Sequence, residues 1–284
     1  MDQRIIDLYD KFTHGALNRR EFLDRLAALA GSAAAALALL PLLQSDYARA
    51  ETISENDPRL VTNTVYDRAS STELAAYMAR PKGDAKCPAV IVVHENRGLN
   101  PHIKDIARRL ALEGFAAYAV DLLSVVGGTP ADEDKARDEI AKLDPTETAQ
   151  RVATAVRVFG QAPGGNGKAG AIGFCWGGGM VNRVAVLSPD LKAAVAYYGV
   201  QPRAADVPKI KAPLLLHYAG LDERVNAGIP AFETALKANH KTYEIFVYPN
   251  VNHAFNNDTS NRYDKAAADL AWIRTVAFLK RELA

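Results

Sequence analysis

Cys175 is the residue whose surroundings most suggest chemistry. It lies in Gly170-Ala171-Ile172-Gly173-Phe174-Cys175-Trp176-Gly177-Gly178-Gly179, an apolar run that ends in a cysteine held between glycines. Ala169 to Phe174 has the length and composition of a buried strand, and Trp176 to Leu187 reads as a helix, which puts Cys175 at a strand-to-helix turn. Gly-x-Cys-x-Gly is a nucleophile elbow with sulfur in place of the serine oxygen. Such a turn cramps the backbone at the nucleophile, and Gly173 and Gly177, two residues before and two after, relieve the contact between strand and helix. The helix N-terminus beside the sulfur favours a thiolate. A plainer reading exists, because a cysteine in an apolar segment is commonly a small core residue. The glycines fit neither a G-x-G-x-x-G dinucleotide loop nor a P-loop, since the spacing is wrong and no Lys-Ser/Thr follows.

An acid and a histidine follow in the order that would use such a thiol. Asp222 comes in the loop after the apolar strand Leu214 to Tyr218, and His253 follows the strand Tyr243 to Tyr248. Reactive groups of open parallel sheets gather at the carboxyl ends of strands, where both residues fall. The order nucleophile, acid, histidine is that of the α/β-hydrolase triad. In that arrangement Cys175 attacks an acyl carbon, His253 takes its proton and passes it to the leaving group, and Asp222 fixes the imidazole tautomer. If His253 must be neutral to act as base, kcat/KM should fall as acid protonates it. His94 and Asp121 also stand at strand ends but precede Cys175, which breaks the order. His217 reads as a core residue, His102 follows a proline at a helix start, and His14 and His240 read as solvated. No His/Cys/Asp/Glu spacing resembles a metal site and no cofactor motif is present.

The elements that must hold these groups alternate regularly. After a polar linker from Glu51 to Arg59, strand-like runs Leu60 to Tyr66 and Glu73 to Ala79 suggest a hairpin turning through Asp67 to Ser71. From Pro88 onward short apolar strands alternate with helices, the last from Arg262 to Leu283. The pattern predicts an α/β domain over residues 51–284 with a mainly parallel sheet covered on both faces. Lys and Arg total 34 against 33 Asp and Glu, so there is no electrostatic case for nucleic acid. Two cysteines, Cys87 and Cys175, make no disulfide framework; one bridge between them would silence the thiol.

The first fifty residues read as a leader outside the fold. Arg19-Arg20-Glu21-Phe22-Leu23 precedes an Ala/Leu run from Leu26 to Leu43, and Ala48-Arg49-Ala50 has the small-x-small form of a cleavage site. Residues 14–50 resemble a twin-arginine export signal, with Asp24 where a lysine is common. The resemblance implies the twin-arginine export machinery as a partner and a periplasmic or exported protein. An uncleaved membrane anchor or an amphipathic helix packed on the domain are the alternatives, although Pro41 interrupts the run.

Four segments together carry a more specific resemblance: Gly-Phe-Cys-Trp-Gly-Gly, the Asp222 loop, His253-Ala254-Phe255, and His94-Glu95-Asn96-Arg97-Gly98-Leu99. From about Leu60 to the C-terminus the chain is similar to the dienelactone hydrolase family. The resemblance implies an α/β-hydrolase fold and hydrolysis of a small ester or unsaturated lactone through an acylated cysteine. It also implies that Glu95 contacts the resting thiol and helps generate the thiolate, and that the backbone N–H groups of Asn96 and Trp176 form an oxyanion hole. In that family an arginine four residues after the histidine helps bind a substrate carboxylate, where this chain has Asn257; Arg97 is a candidate to compensate. The missing arginine keeps a second reading open, a periplasmic binding or redox-sensing protein that retains the fold without turnover.

Overall fold

The computed structural model describes residues 1–67 and 74–284. Its centre is a sheet of eight strands among the described residues: β1 (Leu60–Asp67), β2 (Leu74–Pro81), β3 (Cys87–Val93), β4 (Ala116–Val120), β5 (Gly165–Phe174), β6 (Leu191–Tyr197), β7 (Leu214–Ala219) and β8 (Tyr243–Tyr248). They lie in the order β1-β2-β4-β3-β5-β6-β7-β8. β2 alone runs against its neighbours, and the pairs from β4 onward are parallel. The hairpin expected at the start is present as β1 and β2, with Leu60 opposite Pro81 and Asp67 opposite Leu74. The turn expected through Ser71 lies largely outside the described residues.

Central strands covered on both faces need apolar side chains pointing both ways, as the runs in β3 and β4 supply. Val90, Ile91, Val92 and Val93 are fully buried, each contributing about 1.5 to 3 kcal/mol by leaving water. On one face lie α4 (Pro101–Leu112) and α10 (Lys265–Leu283), which bury Ile103, Ile106, Leu110, Ala271 and Phe278. On the other lie α6 (Pro145–Gly160), α7 (Trp176–Leu187) and α9 (Ile229–Ala238), through Val152, Val156, Met180, Val184, Phe232 and Leu236. α5 (Glu133–Lys142) and the single turn α8 (Glu223–Asn226) stand at the carboxyl edge. From β3 the chain steps to β4 on one side, then returns to β5 on the other. The loops after β3 and β5 therefore part and leave a crevice between them, at the topological switch point.

The elbow forms as its glycines require. Cys175 has φ +56° and ψ −118°, a conformation that costs a non-glycine residue about 1 to 3 kcal/mol. A Cβ on Gly173 would meet the Gly177 carbonyl oxygen at 2.2 Å, and one on Gly177 would meet the Val93 and His94 carbonyls at 2.4 Å. Gly179 has room, its nearest neighbour being 3.4 Å away. Gly177→Ala is therefore expected to destabilise the fold by about 3 kcal/mol, lowering Tm by roughly 10 °C, whereas Gly179→Ala should leave the melting curve nearly unchanged.

Residues 1–50, whose sequence resembles an export leader with a packed amphipathic helix as one alternative, are folded here. They form α1 (Gln3–Thr13), α2 (Arg19–Ala30) and α3 (Ala33–Leu43), and pack on the carboxyl edge of the sheet. α1 is amphipathic, with Ile5, Leu8, Tyr9 and Phe12 at the i, i+3, i+4, i+7 spacing of one face, and that stripe buries against Phe22, Leu26 and Leu43. Asn18 and Glu21 close a reciprocal capping box at the start of α2. The small helical layer is tied to the main domain by an Arg19–Asp134 ion pair, by Arg262 on Asp10 at 3.3 Å, and by Arg137 stacked 4.6 Å from the Phe12 ring centre. Among the described residues no single helix is long and apolar enough to cross a membrane; α2 and α3 together reach that length and composition but are bent by 109°.

Candidate active site

The crevice holds the expected residues and two that were not expected. Asp222 caps α8 with one carboxylate oxygen, accepting from the Val225 N–H at 3.2 Å, and presents the other to His253 Nδ1 at 2.5 Å. That contact requires a proton on Nδ1 and turns Nε2, which is buried and has no hydrogen-bond partner among the described residues, into the reactive nitrogen. His253 is fixed by the two residues after it in the chain: Ala254 takes φ +65°, and Phe255 is fully buried against Tyr198, with ring centres 5.6 Å apart. A ring nitrogen of His253 lies within 4.8 Å of Cys175 Sγ. Cys175, Asp222 and His253 thus come together from three different strand ends.

The N–H groups of Asn96 and Trp176 border the same cleft as the sulfur, and neither donates to a protein acceptor among the described residues. Trp176 opens α7, so its N–H is one of the free amides of a helix start. These are the two N–H groups that the resemblance assigns to an oxyanion hole.

Glu95 does not do what the resemblance implies. Its carboxylate accepts from Asn257 Nδ2 at 2.8 Å and lies 3.5 Å from the Tyr198 hydroxyl, so the side chain standing in for the missing arginine is the one that holds it. The group on the sulfur is His14, whose Nε2 lies 3.3 Å from Cys175 Sγ. The expectation that His14 is solvated is corrected: α1 ends over the crevice and hands this side chain into it. The main-chain carbonyl of Asp10 holds His14 Nδ1 at 2.8 Å, with the Asp10 carboxylate at 3.3 Å. Asn96 helps seat the segment by donating to the Thr13 carbonyl at 2.7 Å. His14 and Asp10 were missed because 161 residues separate His14 from Cys175 and the segment looked like a leader. The apolar stripe of α1 was the available signal, since a helix with such a face needs a surface to pack on.

Charge arrangement follows from these contacts. Burial pushes the Cys175 thiol up, but the imidazolium charges of His253 and His14 outweigh it and bring it down to about 6. Burial pushes His253 down, and the Cys175 thiolate with Asp10 and Asp222 carries it up to about 10. His14 is also raised, against its burial, by the thiolate and Asp10. The mutual attraction of the sulfur and the two rings favours their charged forms over the burial that opposes them.

The remaining candidates have structural partners. His94 stacks on Trp176 with ring centres 5.6 Å apart and has its Nδ1 held by the Glu95 carbonyl at 2.6 Å. Asp121 accepts from Leu123 and Thr129 and organises its own loop. His217 is buried between Tyr248 and Thr275, and His102 pairs with Asp258. Arg97 is committed to the Glu133 carbonyl at 3.0 Å and to Asp134 at 3.4 Å, so it is not free to replace the arginine. Cys87 starts β3 at the opposite edge of the sheet, about 20 Å along the strand from the crevice, and both cysteines are free; no bridge can join them at that separation. The sequence spacing reads as no metal site; the structure brings the Cys175 sulfur and a ring nitrogen each of His14 and His253 within 4.8 Å of one another, with a carboxylate behind each ring.

The cleft has a volume of about 720 Å³ and is walled by Phe12, Leu17, Ile140, Trp176, Met180 and Val200, with Arg137, Arg183 and Arg224 around it. A mainly parallel sheet with a cysteine on a strained elbow and an Asp–His pair at neighbouring strand ends defines an α/β-hydrolase. The comparisons agree and narrow it. The sequence profile of the dienelactone hydrolase family matches residues 74–283, and a profile described as YqhI-like matches residues 1–31. An Escherichia coli protein carried as a candidate carboxymethylenebutenolidase is 34% identical over 240 residues, covering 79% of this chain and 89% of its own. One of the same description from Saccharolobus solfataricus is 32% identical over 253 residues, covering 76% and 96%. The crystal structure of a candidate dienelactone hydrolase from Klebsiella pneumoniae superposes with a TM-score of 0.71 at 30% identity, over 78% of this chain and 99% of that one. The chain belongs to the dienelactone hydrolase family.

Proposed function

We propose that the protein hydrolyses a small, negatively charged carboxylic ester or lactone through an acyl thioester on Cys175. The observation that carries this reading is the thiol on its strained turn, within reach of an imidazole whose far nitrogen is held by Asp222. Thiolate attack on the acyl carbon gives an oxyanion facing the Asn96 and Trp176 N–H groups, each worth about 3 to 4 kcal/mol. His253 protonates the departing alkoxide, then takes a proton from the water that cleaves the thioester, while Asp222 keeps its tautomer. Hydrolysis of short aryl esters and of dienelactone tests the reading; no turnover of either class above buffer would reject it. The alternative of a binding or redox-sensing protein draws on the missing arginine, but the separation of Cys87 from Cys175 removes its intramolecular disulfide.

The cations at the cleft supply the anion preference. Arg137 pairs with Asp134 and Asp138, and Arg224 leans on Asp10, whereas Arg183 is exposed on α7 with no ion pair among the described residues. Arg183 is therefore the group offered to a substrate carboxylate. Arg183→Ala is expected to raise KM for a carboxylate-bearing lactone about tenfold, the loss of one charge-assisted hydrogen bond, with little effect on a neutral aryl ester; equal effects on both would reject the assignment.

Export remains a proposal for residues 14–50, supported by Arg19-Arg20, the Ala/Leu run and Ala48-Arg49-Ala50; the packing of α1 over the thiol supports retention. N-terminal sequencing of the protein from its native cell separates them. A chain starting at Glu51 supports export with cleavage, and one that keeps α1 rejects cleavage.

A further inference from the structure

We propose that His14, carried by the N-terminal segment, is a second catalytic imidazole that takes the Cys175 proton and holds the sulfur as a thiolate before attack and after deacylation, the task the family resemblance would give to Glu95. The inference rests on the hydrolase reading for its chemistry, but not for its geometry. His14 Nδ1 faces the Asp10 main-chain oxygen at 2.8 Å, and a carbonyl oxygen only accepts, so Nδ1 carries hydrogen. Nε2, 3.3 Å from the sulfur, is then the nitrogen that can take the thiol proton and afterwards donate it in a hydrogen bond. The arrangement repeats that of His253 and Asp222 at the same sulfur, and the two rings meet edge to face with centres 4.8 Å apart. The Glu95 carboxylate is instead held by Asn257 and Tyr198.

Protons balance with the two rings dividing the work. The S–H bond breaks and an N–H bond forms on His14, which leaves the electron pair on sulfur. Attack then forms the C–S bond and breaks the acyl C–O bond, and the alkoxide takes its proton from His253. His253 recovers a proton from water, hydroxide cleaves the thioester, and sulfur leaves as the thiolate still hydrogen-bonded to His14. The sum is ester plus water to acid plus alcohol. The charged groups around the pair allow both rings to be cationic: Asp10 behind His14, with Arg262 at 3.3 Å and Arg224 at 3.7 Å on that carboxylate, Asp222 behind His253, and Glu95 on the loop after β3. The YqhI-like match ends beyond this histidine, so the segment supplying it is recognisable in its own right.

The test is the pH dependence of iodoacetamide alkylation of Cys175 in the full-length protein, with EDTA present, for wild type, His14→Ala and Asp10→Asn. The wild-type rate should rise through a midpoint near 6. His14→Ala should move that midpoint up by about two units and slow alkylation at pH 7 about tenfold, as the thiolate fraction there falls from about nine-tenths to about one-tenth. Asp10→Asn, which keeps the shape, should shift it less, and added imidazole should restore part of the rate to His14→Ala. A side chain that merely covers the thiol gives the opposite sign: faster alkylation at an unmoved midpoint in His14→Ala would overturn the proposal. Wild-type protein that shows the low midpoint and its dependence on His14, but hydrolyses no ester, would instead overturn the hydrolase reading and leave the thiolate assignment standing.

Discussion

Cys175→Ala is expected to lower kcat/KM for aryl-ester hydrolysis by about a thousandfold or more, while thermal stability changes by no more than a small buried truncation requires. Among the described residues, sulfur is the group in the crevice placed to form an acyl bond, whereas the oxyanion N–H groups and the cleft remain in the variant. What remains should be the modest catalysis of a site that binds and polarises an ester without attacking it. Cys175→Ser gives a sharper version. The hydroxyl is far less acidic than the thiol, and an environment that sustains a thiolate near neutral pH does not produce an alkoxide, so the serine variant should be nearly as inactive. Steady-state kinetics on a neutral aryl ester, with melting curves for all three proteins, decide the matter.

His253→Gln is expected to reduce kcat by about a hundredfold to ten-thousandfold, the span of a lost general acid–base. The loss should fall mainly on deacylation, because the thiolate retains His14 whereas the hydrolytic water loses its base. The wild-type pH profile has the same origin. Below about 6 the sulfur is protonated and kcat/KM falls; above about 10 His253 loses the proton that the leaving group needs, and the rate falls again. The simple expectation that acid removes activity by protonating His253 therefore changes, since His253 is charged across the working range and the acid limb belongs to Cys175. An acid limb unaffected by removal of the imidazoles would contradict this.

The parts of the molecule legible in the sequence were those governed by local rules. The elbow could be read because a strand packed this closely on a helix tolerates nothing beyond hydrogen at Gly173 and Gly177, and α7 begins at Trp176 as expected. Alternating apolar strands gave the sheet its class, and chain order singled out Asp222 and His253, because strand ends on one edge of a parallel sheet are brought together by topology. Side-chain pairing across long sequence distances was not legible. Nothing local tells that Asn257 holds Glu95, that Arg97 is already taken by Glu133 and Asp134, or that His14 reaches Cys175. Residues 1–50 read as a leader because an Ala/Leu run with a nearby arginine pair satisfies that composition; the packed form, one of the alternatives, depends on the amphipathic face of α1, which composition does not register.

The most direct measurement is intact-protein and peptide mass spectrometry after acid quenching during turnover of an activated aryl ester, with wild type and the slowly deacylating His253→Gln protein. A thioester route gives a mass increase of one acyl group, stoichiometric in His253→Gln, located on the peptide bearing Cys175 and released by hydroxylamine. An acyl group on another residue, or wild-type turnover persisting in Cys175→Ala, would contradict it.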